Sequence, residues 1–329
     1  MESFLFALNA TLPIILTVAV GYLLKRVGWI TPALAKACNK LVFHLFLPVM
    51  LFLNVYKIRD LGSVSWGYMA YALLGILALF ALSLPVVLLI TPHKARRGAV
   101  WQASFRSNFA LIGIPLAQSL CGEEGVTMAS LLSAATVPLL NVLAVICLSI
   151  FREGGERPSV KSILLGVLKN PLIQSIAAGI AVLGIRAVFV EVGIEFRLSH
   201  VAPIYTTMGY LAGLATPLAL ISLGAQFEFS AIASLRKEIL TGTLMRTLVS
   251  PLLGLGIAFL LFRDRFDGAH FASLVAVFAT PVSVSSAPMA QELGSDAALA
   301  GQLVVWTTLA SALSIFFASF FLSLGGVFG

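Results

Sequence analysis

The sequence has the composition of a helical membrane protein. Of its 329 residues, 59% are hydrophobic and only 11% are charged, and the mean hydropathy is +1.01. Soluble domains carry about 25% charged residues, so this composition excludes a soluble globular enzyme, a disordered chain and a fibrous repeat. The net charge of +7 does not predict nucleic acid as a partner, because the basic residues lie in short loops between apolar runs.

Ten apolar runs are long enough to cross a bilayer, whose core requires about 20 apolar residues per helix. The runs are continuous and do not alternate with polar residues, which favours helices over a transmembrane barrel. In chain order, the predicted spans are 3–24, 34–56, 66–90, 99–121, 126–151, 171–190, 202–224, 240–262, 270–291 and 299–323. The sequence therefore predicts an all-α polytopic membrane protein with ten transmembrane helices, and it indicates no metal site and no cofactor.

The basic residues predict an orientation. Assigning loops alternately to the two sides puts 15 of the 21 Lys and Arg residues on one side and 6 on the other. Cytoplasmic loops carry the excess of Lys and Arg. We therefore expect both termini on the non-cytoplasmic side of the cell membrane, with membrane lipids around the helices.

The chain contains an internal repeat. The segment from Pro115 to Gln118 recurs from Pro288 to Gln291, an offset of 288 − 115 = 173 residues. Each half holds five spans, and because five is odd, the second copy enters the membrane from the opposite side, as in many secondary transporters. The predicted units are a first five-helix repeat (1–151), a short cytoplasmic linker (152–170) and a second, inverted repeat (171–329).

Proline and glycine interrupt the fourth and ninth spans. Proline removes a backbone hydrogen bond from a helix, and in lipid the freed groups survive only where protein or a water-filled cavity satisfies them. We expect each helix to unwind and to restart near mid-membrane, at Pro115 and at Pro288. Two helix N-termini facing each other there would bind an anion. The alternative is that these prolines only kink packed helices.

The residues around the two interruptions are candidates for substrate binding. Asn108 is a donor for a carboxylate, Ser285 and Ser286 are candidate helix caps, and Gln118 and Gln291 lie one turn after their prolines. Those two glutamines are equally suited to bridging helices. The complete predicted set is Asn108, Gly113, Pro115, Gln118, Pro281, Ser283, Ser285, Ser286, Pro288 and Gln291.

Charged and titratable residues narrow the substrate. All 14 Asp and Glu residues lie in loops or at span ends, whereas a cation transporter usually keeps a carboxylate within the membrane. His44 is the one histidine inside a span and is a candidate proton carrier; the alternative is a packing role. Arg106 and Arg246, near span ends, are predicted to extend towards lipid phosphates; the alternative is that they attract anions into an inward-open vestibule. We expect helix dipoles, without Lys or Arg, to screen the substrate charge.

The fourth span resembles a known transporter motif. The pattern Asn108-x5-Ile114-Pro115 is similar to the fourth-helix crossover of the auxin efflux carrier family, which includes bacterial organic-acid (malonate) permeases and plant PIN auxin carriers. Asn170-Pro171 resembles the start of that family's sixth helix, and Pro288 falls at its ninth-helix crossover proline. The resemblance covers essentially the whole chain.

The resemblance carries several expectations. It implies two inverted five-helix repeats whose broken helices 4 and 9 cross, with helices 1, 2, 6 and 7 as a scaffold and helices 3–5 and 8–10 as a transport domain. It also implies elevator-type alternating access, a homodimer through the scaffold, and an Asn108 that contacts the substrate carboxylate. The substrate would be a small organic anion, a mono- or dicarboxylate such as malonate or an auxin-like acid. Coupling to a proton, coupling to sodium and uncoupled transport all stay open.

Two other functions stay open at this stage. A sodium-coupled organic anion symporter of the bile-acid type shares the crossed helices, and a membrane receptor would bind a ligand without moving it. An intramembrane enzyme is not indicated, because the sequence contains no HExxH, no GxSxG and no mid-span Asp.

Overall fold

The computed structural model of the protein describes residues 2–57, 66–152, 160–193 and 196–328. Arg59 and Arg157, which contribute to the predicted orientation, and residues 153–159 of the predicted linker lie outside these ranges. The described part is all-α, and its β pairing is limited to one isolated bridge between Ser107 and Val282. The helices are α1 (Glu2–Arg26), α2 (Pro32–Leu41), α3 (Leu47–Tyr56), α4 (Trp66–Ile90), α5 (Lys94–Phe105), α6 (Ile114–Ile150), α7 (Val160–Lys169), α8 (Pro171–Glu191), α9 (Ala202–Gln226), α10 (Ala231–Leu244), α11 (Ser250–Phe262), α12 (Gly268–Phe278), α13 (Ser286–Glu292) and α14 (Ala297–Leu324).

Side-chain caps explain where several helices begin. A side-chain oxygen that accepts from a backbone N–H of the first turn satisfies a donor that the helix itself leaves unpaired. Proline at the first helical position adds to this, since it has no N–H to leave unpaired; α2 and α8 both start this way. The capping residues are Thr31 for α2, Asn170 for α8, Asp267 for α12 and Asp296 for α14.

Seven helical stretches among the described residues are long and apolar enough to cross a membrane. They are Pro32–Tyr56, Trp66–Ile90, Phe109–Ile150, Pro171–Val190, Ala202–Gln226, Ala231–Phe262 and Ala297–Leu324. The difference from ten predicted spans is greatest at the interrupted segments. The ninth span divides into α12 and α13, both too short to cross alone, and most of the fourth span joins the fifth.

The joined stretch Phe109–Ile150 is not one straight rod. Cys121 and Gly122 have non-helical backbone angles, and Gly122 has φ 56°, a left-handed conformation that glycine adopts without a steric cost. A Cβ on Gly125 would overlap the carbonyl oxygen of Ala117, although eight residues of straight helix span about 12 Å. The chain therefore turns back sharply at Cys121–Gly122, between the predicted fourth and fifth spans.

Three of the apolar stretches contain a short π-helical turn just before a proline. The turns are Val42–Phe46, Phe109–Gly113 and Met245–Val249, and they precede Pro48, Pro115 and Pro251. A proline ring clashes with the carbonyl group four residues earlier, and a wider turn relieves that clash. Pro115 therefore widens a helical turn and does not begin the restarted helix; the helix restarts at Phe109, six residues earlier than predicted.

Helix α12 lies at the centre of the molecule. Every side chain from Phe271 to Phe278 is buried, as expected of a helix that is apolar on all sides. A Cβ on Gly113 would lie 3.0 Å from the Cβ of Ala276, so this glycine permits α12 to pack closely against the restarted fourth segment. The interruption that follows α12 is thus held in the protein interior.

Candidate functional site

The two interruptions lie side by side. Residues 106–108 follow α5 and residues 279–285 follow α12, and together we call them the crossing. Ser107 forms an antiparallel bridge with Val282, and the backbone N–H of Asn108 donates to the carbonyl oxygen of Pro281 over 2.8 Å. Non-helical backbone at membrane depth needs such internal partners, and here each interruption provides them for the other.

A cavity of ≈ 170 Å³ adjoins the crossing. Pockets for drug-sized ligands measure about 300–1,000 Å³, so this one suits a smaller molecule. Its apolar lining comes from α3, α6, α8, α9, the π turn Phe109–Gly113 and the crossing. Its polar lining residues are Asn54, Arg106, Ser107, Asn108, Asn141, Thr216, Ser283 and Ser285. Arg106 is the one charged residue among the residues that line this cavity, and no Asp or Glu lines it.

Arg106 is buried, with only 3% of its surface exposed. Its Nη2 donates to Asn141 Oδ1 (2.9 Å) and to Ser285 Oγ (2.7 Å), and its Nη1 lies 3.4 Å from Ser286 Oγ. These partners are neutral, and the ion pairs of the described residues do not include Arg106. Because burying a charge without a counter-ion is costly, an anion bound beside Arg106 would offset that cost.

The side chain of Asn108 adds an unpaired donor. Asn108 is 6% exposed, its side chain makes no cap hydrogen bond to the π turn that follows, and its Nδ2 is buried without a partner. A buried donor left unpaired costs about 1–3 kcal/mol. A ligand oxygen in the cavity would remove that cost, which agrees with the role that the resemblance implies for Asn108.

Arg246 is fully buried on the other side of the crossing. Its Nε donates to the carbonyl oxygen of Thr280 (2.7 Å), its Nη2 to that of Val277 (2.6 Å) and its Nη1 to that of Phe105 (3.2 Å). The prediction that Arg106 and Arg246 extend to lipid phosphates is therefore wrong. Both side chains point inward because the helix interruptions provide unpaired polar groups that a guanidinium satisfies.

Three predicted residues of the ninth span lie in the crossing, and a fourth, Ser286, begins α13 directly after it. Ser283 and Ser285 line the cavity, with their Oγ atoms 2.9 Å apart. Ser286 is buried next to the Arg106 guanidinium, and the Pro281 carbonyl accepts the Asn108 bond. Arg106 lies among these hydroxyl groups, so a substrate in this cavity would meet a guanidinium, which differs from the expectation of screening without Lys or Arg.

The remaining predicted residues are not among those that line the cavity: Gly113, Pro115, Gln118, Pro288 and Gln291. Pro115 and Gln118 are exposed on α6, and Pro288 is buried within α13. Gln291 faces α2, where its Oε1 accepts from Asn39 Nδ2 over 3.0 Å. The two glutamines occupy equivalent positions in the repeat, but they do not meet at the cavity.

His44 is also not among the cavity-lining residues. It lies in the π turn between α2 and α3 with an exposed ring, and its Nδ1 is 3.0 Å from the Lys40 carbonyl oxygen and 4.0 Å from Glu292 Oε2. These neighbours place it at a contact between α13 and the α2–α3 segment.

Five polar residues that line the cavity were absent from the predicted set: Arg106 and Ser107 of the crossing, and three residues of the surrounding helices. Asn54, Asn141 and Thr216 lie in α3, α6 and α9, and each is an uncharged polar residue within an otherwise apolar run. Polar residues inside membrane segments usually face the interior or a cavity, and that signal would have identified them. They also show that helices distant in sequence line the cavity together.

A second, wider cavity of ≈ 660 Å³ adjoins the first. Asn54, Ala110 and Val137 line both, and Lys57 lines the wider one. The two cavities are therefore neighbours, and the wider one lies beside the end of α3.

The chain matches the family described as "Membrane transport protein" over residues 6–162 and 156–319. It is 25% identical to an uncharacterized transporter of Methanothermobacter thermautotrophicus over 339 residues, which cover 95% of this chain and 97% of the relative. It is also 24% identical to an uncharacterized transporter of Methanocaldococcus jannaschii over 248 residues, which cover 74% and 76% of the two chains. The protein is thus a multi-pass membrane protein and a member of this auxin efflux carrier-like family of membrane transporters.

Proposed function

We propose that this protein is a secondary transporter of small organic anions, mono- or dicarboxylates, across the cell membrane. The observation that carries the proposal is the buried guanidinium of Arg106, which lines a small cavity without a carboxylate partner among the described residues. Membership of a transporter family supports movement of the ligand and not binding alone.

The substrate carboxylate would sit between Arg106 and Asn108. One carboxylate oxygen would accept from the guanidinium and the other from Asn108 Nδ2, with the hydroxyl groups of Ser283 and Ser285 close by. Charge-assisted hydrogen bonds of this kind are about twice as strong as neutral ones. The apolar part of the acid would contact the side chains of Leu47 and Met50 and other aliphatic residues of the wall.

Alternating access would move the crossing against the opposite wall of the cavity. That wall comes from α3, α8 and α9, which belong to the predicted scaffold, and the other wall comes from α6 and the crossing, which belong to the predicted transport domain. In this proposal the chain forms two inverted five-helix repeats with both termini on the non-cytoplasmic side, moves substrate by an elevator motion and dimerises through the scaffold. Asn108 and Pro281, which bond to each other, differ by 281 − 108 = 173 residues, the offset of the repeat. Two copies related by a two-fold axis bring equivalent residues together at that axis, so this contact supports the proposed inverted repeat.

Protonation of His44 is one route by which transport would be coupled to a proton gradient. The ring of His44 is next to Glu292, at a contact that an elevator motion would change. His44→Gln should abolish the stimulation of uptake by an imposed pH gradient if this route operates. An unchanged stimulation would remove His44 from the mechanism.

The test is uptake into vesicles that contain only the purified protein. A panel of labelled mono- and dicarboxylates, each with an imposed proton or sodium gradient, identifies the substrate and the coupling ion. We expect accumulation of at least one small carboxylate, with competition by related acids and not by their amides. Binding to the purified protein without accumulation in vesicles would favour a receptor and contradict transport.

A further inference from the structure

The guanidinium of Arg246 lies where the C-terminal ends of two interrupted helices meet. Phe105 is the last residue of α5, and Val277 and Thr280 lie at and just beyond the end of α12. The carbonyl oxygens of all three accept hydrogen bonds from Arg246, at 3.2, 2.6 and 2.7 Å. The side chain is fully buried, so these bonds form away from water.

The carbonyl groups at the end of α12 all have partners. The first two of its last four carbonyl groups accept from the backbone N–H of Ala279 and the hydroxyl of Thr280. The last, that of Phe278, accepts from Ser250 Oγ, which itself lies 3.3 Å from Arg246 Nη1. A helix end leaves four such oxygens unpaired, and Arg246 with its neighbour Ser250 completes the set.

The charge of Arg246 matches the field of these helix ends. The C-terminal end of a helix carries about half a negative charge, so α5 and α12 together bring about one. Arg246 brings one positive charge, and the ion pairs of the described residues do not include it. In transporters built from broken helices, such C-terminal ends and unwound carbonyls coordinate the coupling cation, sodium or a proton.

We propose that the Arg246 guanidinium is a fixed substitute for a coupling cation at the crossing. It occupies the carbonyl oxygens that a sodium ion would use, holds the two interrupted helices together, and makes a bound sodium ion unnecessary. Only the consequence for transport, that uptake needs no sodium, rests on the proposed function. The structural part concerns the cation at the crossing and is tested without any substrate.

The experiment compares Arg246→Ala with the control Arg236→Ala in purified protein. Arg236 is an exposed arginine ten residues earlier in the same helical stretch. Thermal unfolding is followed in choline chloride, sodium chloride and millimolar guanidinium chloride at constant ionic strength. We expect Arg246→Ala to unfold about 5 °C or more below wild type in choline, because three carbonyl oxygens lose a charged donor. Guanidinium should raise its unfolding temperature saturably, and sodium should raise it in part.

Wild type and Arg236→Ala should show neither response. Equal unfolding temperatures for Arg246→Ala and wild type, or no recovery by guanidinium relative to choline, would overturn the proposal.

If Arg246→Ala does not fold, Arg246→Lys is the second variant, because it retains the charge but not the planar fork of donors. It should be intermediate in stability and should respond to neither cation. Stabilisation of wild type by sodium would also overturn the proposal, and a failure of carboxylate transport would leave these results unaffected.

Discussion

The backbone N–H of Asn108 donates to the carbonyl oxygen of Pro281 over 2.8 Å, and this bond joins the two interrupted segments. The side chain of Asn108 makes no cap hydrogen bond to the π turn that follows. The same residue therefore ties the crossing together with its backbone and presents an unpaired Nδ2. Because the two roles use different atoms, substitutions of the side chain separate them.

Asn108→Ala should weaken substrate binding without loss of the fold. The side chain contributes one hydrogen bond to a charged group, which is worth about 1.5–3 kcal/mol, so we expect an affinity loss of about 10–100-fold. Asn108→Asp should bind still more weakly, since it places a negative charge beside the substrate carboxylate. Calorimetry measures both affinities, and the unfolding temperature verifies the fold. Unchanged affinity in the alanine variant would remove Asn108 from the site.

Close packing of α1 against α9 depends on two glycines. A Cβ on Gly21 would overlap the carbonyl oxygen of Ile221, and one on Gly224 would overlap that of Val18. Small residues allow helix backbones to approach in membranes. We expect Gly224→Ala to lower the free energy of unfolding by about 1–3 kcal/mol.

Gly213 provides the matched control in the same helix. A Cβ there meets nothing within 4 Å, so Gly213→Ala should be neutral or slightly stabilising, by up to about 1 kcal/mol. Thermal unfolding of the two variants in parallel measures the difference. Equal effects of the two substitutions would contradict the close approach of α1 and α9.

The loop before α12 should respond to acid. Partial burial raises the pKa of the Asp267 carboxyl, but hydrogen bonds from the backbone N–H and the ring of His270 outweigh this, so the pKa lies below its ordinary value of 3.8. A carboxylate with a lowered pKa stabilises the fold above its unfolded-state pKa and loses that contribution as the pH falls through its folded-state pKa. The loss should therefore begin below about pH 4.

Asp267→Asn isolates this contribution, because asparagine also caps helices well. Wild type should unfold at a higher temperature than the variant near neutral pH, and the difference should shrink as the pH falls below 4. Asp267 is 68% exposed at its side chain, so we expect a small effect that salt reduces. A difference that grows on acidification would reverse the assigned sign.

Several features of the fold follow from sequence pattern alone. The starts of α2 and α8 could be predicted from Thr31-Pro32 and Asn170-Pro171, because capping and proline act locally. The interruption of the fourth and ninth spans could be predicted in the same way. The point of restart could not, since Pro115 acts on the turn that precedes it and the π turn it requires begins at Phe109.

The direction of the two buried arginines was beyond local pattern. In the sequence, Arg106 lies near a span end, where an arginine side chain usually extends to lipid phosphates. Its neutral partners in the interior come together only because two interruptions that are distant in sequence meet in the fold. Gln118 and Gln291 show the converse. Their positions in the repeat match. Whether each side chain faces the cavity depends on how its helix packs against its neighbours, and sequence spacing does not determine that packing.

The most direct test of the account is the charge preference of the site, measured with a carboxylate and its amide of the same shape. Binding to wild type and to Arg106→Gln is compared, with Arg236→Gln as the control. We predict that wild type and the control bind the carboxylate at least about 10-fold more tightly than the amide, since a charge-assisted bond is worth about 1.5–3 kcal/mol. Arg106→Gln should lose this preference. Equal binding of acid and amide by wild type, or an unchanged preference in Arg106→Gln, would contradict an anion site at the crossing.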